Sequence, residues 1–332
     1  MKLRHLFLSC LSVLLLLCLS CQTGPKPSEP LRRGVLWNGS TDVKIYTSGI
    51  TDTIRLFVIS DTHLHESDQR EDPFRTFSDR MEKGYNHTKH FKTLEETTPI
   101  VELEKSLRTA KELRADMVLH LGDLISFPSE LGSELAVDLF EKSKVPWHYV
   151  AGNHDWHYEG TYGDQDSLRR VWSQKRLGAL YKGADMLNYT VDIKGLRIIL
   201  MSNGTNYMLP SQVDYLKESL KDGKPSLLMM HVPLWAEGQR DIDFTIGNPN
   251  WGAKVDKYYQ IERREQWPQH HDQADYDFMD EVKRAGGENL LSVIAGHVHF
   301  YGMSHIGDCL PQFTLKENAS GAYMMVTLIP KP

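Results

Sequence analysis

The chain has 332 residues, of which 40% are hydrophobic and 25% charged, a composition typical of soluble globular proteins. Its formal net charge of −6 argues against a general nucleic-acid-binding protein, because such proteins present a basic face to phosphate. No internal repeats or low-complexity tracts are visible, so we expect one folded domain behind a short leader.

The first 20 residues predict a signal peptide. A basic stretch, Met1 to Arg4, precedes an apolar run from residue 6 to residue 19, which is shorter than the roughly 20 residues that a spanning helix needs. The run ends in Cys18-Leu19-Ser20-Cys21, which resembles a bacterial lipobox and implies cleavage before Cys21 and a lipid on that residue. We therefore expect an exported protein, lipid-anchored at Cys21 in the bacterial periplasm or cell envelope. Ordinary secretion with cleavage nearby is the alternative.

Residues 21–40 predict a lipid-attached tether, and residues 41–332 predict the folded domain. The tether assignment depends on a stretch rich in proline, glycine and charge that includes Pro25, Pro27 and Pro30. Cys309 is the only cysteine of the folded domain, so no disulfide bond can form within it. The domain must therefore be stabilised by its hydrophobic core.

Five short apolar runs predict buried strands, and each is followed at once by polar residues. The predicted strands are residues 54–60, 117–121, 146–150, 226–230 and 291–295. The polar residues that follow them are Asp61 and His63, then Asp123, then Asn153, His154 and Asp155, then His231, and finally His297 and His299. Since ligands gather at the carboxyl ends of the strands in open α/β sheets, we expect these side chains to share one site.

The remaining pattern predicts helices between the strands and further strands near the end of the chain. Helices are predicted at residues 100–114, 129–143, 167–174, 210–221 and 274–285, and late strands at 312–316 and 322–329. This alternation indicates an α/β fold.

The donor set itself indicates a metal centre. Carboxylates, one carboxamide and imidazoles without a thiolate suit borderline ions such as Mn, Fe or Zn. A carboxylate can bridge two ions, and two ions a few ångströms apart can stabilise both the attacking and the leaving oxygen of a displacement at phosphorus. Gly122, Gly152 and Gly296 permit tight turns and close approach of the backbone at the strand ends.

Over roughly residues 52–330 the motifs Asp61-Thr62-His63, Gly122-Asp123, Gly152-Asn153-His154-Asp155, His231 and Gly296-His297-Val298-His299 resemble the calcineurin-like metallophosphoesterase superfamily. The resemblance implies a four-layer α/β/β/α sandwich and two divalent metal ions. It implies that one ion is held by Asp61, His63 and His299, the other by Asn153, His231 and His297, and that Asp123 bridges both. His154 would then stand beside the scissile phosphate, with Asp155 orienting it. The histidine at position 63 separates the chain from the purple acid phosphatase branch, which has a tyrosine ligand.

The resemblance implies dinuclear metal-dependent hydrolysis of a small-molecule phosphoester, with a metal-bridging hydroxide as nucleophile and His154 as proton donor to the leaving group. We favour a monoester substrate, with a phosphodiesterase as the alternative. A non-catalytic binding protein stabilised by its metals is the alternative from another class. The presence of both His154 and Asp155 argues against it, and a turnover assay would separate the two.

Two segments interrupt the motifs, at about residues 64–99 and 233–273. Both emerge from ligand-bearing strand ends and carry arginine or aromatic residues, such as Trp251 and Tyr258 in the second, so we expect them to wall the pocket. Surface insertions without function are the alternative. His65 and His157 adjoin motif residues and could face the substrate, whereas the pair His270-His271 is interpreted as solvated rather than as a metal or phosphate site.

Overall fold

The computed structural model describes residues 33–85, 88–158, 160–237, 245–248 and 271–331. A mixed six-stranded sheet is formed by β1 (Arg33–Trp37), β2 (Asp42–Thr47), β3 (Ile54–Ile59), β6 (Met117–Leu121), β7 (Trp147–Val150) and β14 (Met324–Pro330). Its strand order is β1-β2-β14-β3-β6-β7. Strands β3, β6 and β7 run parallel, so their carboxyl ends lie at one edge of this sheet.

A second six-stranded sheet contains β8 (Asn188–Ile193), β9 (Leu196–Met201), β10 (Ser226–Met230), β11 (Leu290–Ala295), β12 (Gly302–Ile306) and β13 (Leu310–Thr314). Its order is β12-β13-β11-β10-β9-β8, and β9, β10, β11 and β13 are parallel. A small ribbon is formed separately by β4 (Thr88–Lys89) and β5 (Glu96–Thr97).

Helices cover the outer face of each sheet. They are α1 (Arg75–Tyr85), α2 (Pro99–Glu112), α3 (Glu130–Ser143), α4 (Gln165–Arg176), α5 (Gly178–Tyr181), α6 (Pro210–Leu220) and α7 (Gln273–Gly286), with short 3-10 helices at Gln69–Phe74 and Asn318–Ser320. Helices α3, α4 and α7 each begin at a serine or aspartate whose side chain accepts a hydrogen bond from the first turn. None of the helices among these described residues is both long and apolar enough to cross a membrane.

Three clusters of buried hydrophobic side chains fill the spaces between these layers. The central cluster joins the two sheets and includes Leu56, Leu119 and Leu227. One outer cluster packs α2 to α5 against the first sheet, and the other packs α6 and α7 against the second. Successive side chains of a strand point to opposite faces, so buried runs such as β3 and β10 supply both the central core and an outer core. The layers are helix, sheet, sheet and helix, which confirms the predicted α/β/β/α sandwich.

The amino-terminal boundary predicted from the sequence is wrong. The whole of Arg33–Trp37, assigned above to a tether, pairs with β2 as an edge strand. Val35 and Trp37 pack against the core between the sheets, and the Trp37 ring lies 6.0 Å from that of Phe313. The prolines that suggested a tether all precede Arg33, whereas residues 35–37 are apolar and join the sheet, so the folded domain begins by residue 33 rather than 41. The signal peptide and Cys21 lie outside the described residues.

The insertion at residues 64–99 is folded rather than a plain loop. It contains the 3-10 helix Gln69–Phe74, helix α1 and the β4–β5 ribbon. Its arginines Arg70 and Arg75 form ion pairs with carboxylates of the domain itself. Of the second insertion the structure describes residues 233–237, 245–248 and 271–273, so Trp251 and Tyr258 lie outside its described part.

Candidate metal centre

The predicted ligands all lie in the loops that follow β3, β6, β7, β10 and β11. Five of them have positive φ angles, namely Asp61 (57°), His63 (52°), Asp123 (51°), His297 (70°) and His299 (55°). Left-handed backbone at a residue with a side chain costs about 1–3 kcal/mol and persists only where its surroundings impose it. Here the amides of Asp61 and His63 donate hydrogen bonds of 2.9 Å to the carbonyls of Gly122 and Asp123, which lock the two loops together.

A first cluster of donor atoms contains Asp61, His63 and His299. The Nε2 atoms of the two histidines lie 3.2 Å apart, and that of His299 lies 3.3 Å from Oδ1 of Asp61. Both carboxylate and imidazole lone pairs therefore converge on one point. This is the set predicted for the first metal ion.

A second cluster contains Asp123, His231 and His297, and Asn153 adjoins it. Nε2 of His231 lies 3.3 Å from Oδ2 of Asp123, 3.2 Å from Oδ1 of Asn153 and 3.2 Å from Nδ1 of His297. Nδ1 of His231 donates a 2.8 Å hydrogen bond to the carbonyl of Leu121, which leaves Nε2 directed at the cluster. This is the set predicted for the second ion.

Asp123 lies between the two clusters. Its Oδ2 is 3.9 Å from Nε2 of His63, 3.3 Å from Nε2 of His231 and 3.9 Å from Nε2 of His154. Its Oδ1 accepts a hydrogen bond of 2.9 Å from the amide of His154. One carboxylate thus reaches both ligand sets, as its predicted bridging role requires.

The buried polar atoms of the site fit divalent ions. Oδ1 of Asp61 is buried and has no hydrogen-bond partner among the described residues, although a buried carboxylate oxygen without one is costly. Burial would raise the pKa of Asp61, but the adjacent His299 outweighs it and holds this pKa below its usual range. Burial would lower the pKa of His231, whereas the carboxylate of Asp123 raises it to about 9. Positive charge is thus strongly favoured between these groups, and metal ions would supply it.

Glycine is required where the ligand loops meet. A Cβ atom on Gly152 would lie 2.2 Å from Oδ1 of Asp123, and one on Gly122 would lie 2.4 Å from the amide nitrogen of Gly152. A Cβ atom on Gly296 would lie 1.8 Å from Oγ of Ser60. Any side chain at these positions would separate the loops that carry the ligands.

The structure corrects the role predicted for Asp155. Its carboxylate accepts hydrogen bonds from the amides of Ile125 (2.9 Å) and Gly152 (2.8 Å), so it orders the two loops rather than the His154 ring. That ring is oriented by the carbonyl of Ser126, 3.1 Å from Nδ1. The backbone of the loop directs the Asp155 side chain inward, away from the His154 ring. This side chain is fully buried. Burial also raises the pKa of Asp155 to about 7.

Two supporting groups were missed by the sequence analysis. Asn203 follows β9, and its amide group binds the amides of His231 (3.1 Å) and Val232 (2.9 Å) and the carbonyl of Val232 (2.7 Å). Beneath the first cluster, the hydroxyl of Thr62 lies 2.8 Å from Nε2 of the buried His120 and donates to Asn318 at 3.0 Å. Asn203 follows an apolar run at a strand end, which is the signal that could have identified it.

The histidines outside the motifs have different environments. His65 and His157 are both partly buried, and among the described residues neither belongs to a group of side chains that could hold a metal ion. His271 was interpreted as solvated, which is wrong: its Nε2 accepts from the amide of Gly247 at 3.1 Å, and its Nδ1 lies 3.4 Å from Asp275. Its side chain is only 2% exposed. His271 thus connects Gly247 of the second insertion to Asp275 of helix α7.

Residues 54–316 match the family model described as calcineurin-like phosphoesterase. A dimetal phosphatase from Danio rerio is similar over 82% of this chain and 91% of its own, with 14% identity and a TM-score of 0.47. A purple acid phosphatase from yellow lupin (Lupinus luteus) is similar over 85% of this chain, with 14% identity and a TM-score of 0.49, and the chain spans 48% of its length. None of the curated proteins compared with the chain matches it.

The family match covers most of the chain. It includes every predicted ligand, because all of them lie between residues 61 and 299. The described residues form three overlapping groups that could hold a metal ion: Asp61, His63 and His299; His63, Asp123 and His154; and Asp123, His231 and His297. The chain therefore belongs to the calcineurin-like phosphoesterase family, and it is a metal-dependent hydrolase that acts on phosphoester bonds.

Proposed function

We propose that the protein hydrolyses a small-molecule phosphomonoester, with His154 as proton donor to the leaving group. The observation that carries this proposal is the position of Oδ2 of Asp123, which is faced by one histidine from each ligand cluster and by His154, a member of neither predicted ligand set. A histidine that faces the predicted bridging carboxylate and is not one of the predicted ligands can act on the substrate.

The chemistry of His154 follows from its hydrogen bond. A carbonyl oxygen only accepts, so Nδ1 of His154 carries a proton that it donates to Ser126. Nε2 is then the atom that can hold or release a proton on the side of Asp123. The side chain is 26% exposed, so a substrate can reach it. General acid assistance of this kind is worth about 10²–10⁴-fold in rate.

The charge of the site favours a monoester. Two divalent ions, when bound, supply electrostatic stabilisation of the phosphoryl group and lower the pKa of coordinated water. The carboxylates of Asp61 and Asp123 would neutralise half of their charge, which leaves roughly two positive charges to balance the hydroxide and the phosphoryl group together. A phosphomonoester carries close to two negative charges at neutral pH, whereas a diester carries one. The donor set favours Mn, Fe or Zn as the ions.

A panel of purified phosphomonoesters and phosphodiesters tests the proposal. The protein is stripped of metal and then assayed after separate addition of Mn, Fe, Zn and Mg. We expect higher kcat/KM for monoesters with one of the first three ions. The reverse preference would replace the monoester proposal by a phosphodiesterase, and no turnover of any phosphoester would overturn both.

The role of His154 has its own test. We expect His154→Ala to retain both metal ions while kcat falls, with a larger loss for alkyl esters than for nitrophenyl phosphate, because a poor leaving group needs protonation most. An equal loss for both esters would show that His154 positions the phosphate and does not protonate the leaving oxygen.

We also propose that the protein is exported and lipid-anchored at Cys21 in the bacterial cell envelope. The support is the basic and apolar leader and the lipobox-like sequence that ends at Cys21. We expect the expressed protein to partition with membranes and Cys21→Ser to be soluble or unprocessed. Firm retention requires more than one acyl chain. Mass spectrometry that finds an unmodified mature amino terminus would contradict the proposal.

A further inference from the structure

A fully buried carboxylate in the first insertion has no part in the chemistry described above. Glu71 lies in the 3-10 helix Gln69–Phe74 and is 0% exposed. Burying a charge is costly unless it is paired and hydrogen-bonded. Glu71 meets that condition: one oxygen accepts from the amide of Glu130 at 2.8 Å, the other accepts from the hydroxyl of Tyr158, and the guanidinium of Arg176 lies 3.9 Å away.

The first partner of Glu71 belongs to the segment that orients His154. At one end of residues 126–130, the carbonyl of Ser126 receives Nδ1 of His154, and the hydroxyl of Ser126 donates to the carbonyl of His63 at 2.9 Å. At the other end, the amide of Glu130 donates to Glu71. Glu71 thus fixes the far end of the segment whose near end holds the ring of His154.

The second partner belongs to the segment that carries His154 itself. Tyr158 follows it by four residues and is fully buried. Besides its hydrogen bond to Glu71, the Tyr158 hydroxyl lies 3.0 Å from the carbonyl of Pro128. Phe74, from the same 3-10 helix as Glu71, stacks on the Tyr158 ring at 4.9 Å between centroids. The insertion therefore packs on the chain just beyond His154.

The ion pairs of Arg70 in the same insertion are too exposed to hold these segments in place. Arg70 pairs with Asp68, Glu130 and Glu134, but its side chain is 35% exposed and its partners are 35–59% exposed. Pairs as exposed as these contribute little and are screened by salt. Glu71 is buried and reaches both segments that flank His154 through direct hydrogen bonds.

We propose that Glu71 is a positioning residue for His154: by joining the Ser126–Glu130 segment to Tyr158, it holds the His154 ring with Nε2 facing Asp123. The first insertion is then a brace for the proton donor. This inference rests on the catalytic role proposed for His154. A small displacement of a catalytic group can cost up to roughly 100-fold in rate, so the brace has a measurable effect on turnover.

A double-mutant cycle tests the inference. Glu71→Gln and Tyr158→Phe are each made in the natural protein and in the His154→Ala variant, and kcat, KM and metal content are measured with an alkyl phosphate and with nitrophenyl phosphate. We expect each single change to lower kcat by roughly 10-fold to 100-fold, with KM and metal content unchanged and a larger loss for the alkyl ester. In the His154→Ala background we expect no further loss.

Glu82→Gln is the matched control. Glu82 lies in the same insertion, on α1, and bonds Ser67 (2.6 Å) and Arg75 (3.0 Å) without reaching residues 126–130. We expect it to leave kcat unchanged in both backgrounds. If Glu71→Gln does not fold, Tyr158→Phe, which removes a single hydroxyl, decides the question.

Three results would overturn the inference: equal losses in the two backgrounds, loss of metal in the single variants, or no loss of kcat. The failure of the proposed proton transfer would look different. In that case His154→Ala would affect both esters equally, while the Glu71 changes would still have no further effect in the His154→Ala background.

Discussion

Replacing Gly296 by alanine probes the contact between the two sheets at the metal centre. The added Cβ atom would lie 1.8 Å from Oγ of Ser60 and 2.6 Å from Oδ2 of Asp61. The Ser60 hydroxyl is buried and donates to the carbonyl of Leu121 at 2.9 Å, so it cannot move without losing that bond. Asp61 in turn accepts from the amide of His297 at 2.9 Å. The methyl group would therefore separate two ligand loops.

The magnitude follows from these contacts. Overpacking costs about 1–3 kcal/mol, and one broken hydrogen bond about 0.5–1.5 kcal/mol more. The sum, about 1.5–4.5 kcal/mol, lowers Tm by about 2–7 °C for a domain of roughly 300 residues, at an unfolding entropy of about 2.1 cal/mol/K per residue. Because the displaced Asp61 and His297 are predicted ligands, one of each ion, we expect the Gly296→Ala variant to bind less metal and to lose activity in proportion, as measured by elemental analysis and phosphatase assay.

Gly178→Ala is the control, since its Cβ atom would meet nothing nearer than Met186 at 4.0 Å and alanine favours the helix in which it lies. We expect its metal content and activity to match those of the natural protein. Full metal content and activity in Gly296→Ala would refute the reasoning that close approach at residue 296 sets the ligand geometry.

Three further predictions concern ligands and specificity. Asp123→Ala should release metal and abolish hydrolysis together, because this carboxylate reaches both clusters; full metal content with activity would contradict the dinuclear site. Asn203→Leu should lower stability by about 1–3 kcal/mol for each buried backbone group left unpaired and weaken binding of the second ion, as thermal unfolding and metal titration would show. Replacing Trp251 and Tyr258 by alanine should spare nitrophenyl phosphate but lower kcat/KM for the natural substrate, and equal effects on both would rule out a role of this insertion in specificity.

The ligand set could be predicted from the sequence because each ligand is local to its strand. A buried parallel strand is a continuous apolar run, and the polar residues after it must emerge at its carboxyl end. Asp61, Asp123 and His231 were identified in this way without knowledge of the strand order. Strands β1, β2, β8 and β9 were not predicted: β1 is the edge strand of its sheet and β2 pairs with it, and β8 and β9 are joined by the two-residue turn Lys194-Gly195, whose signal was overlooked.

The tertiary structure decided which atoms these side chains meet. Asp155 adjoins His154 in sequence, yet its carboxylate bonds the amides of Ile125 and Gly152, because the turn of the loop directs it inward. Glu71 and Tyr158 are 87 positions apart and are joined only in the folded chain. Residue type and strand pattern are local properties, so the sequence determined the chemistry at the sheet edge. Hydrogen bonds between distant loops depend on how the layers pack, and only the fold assigns them.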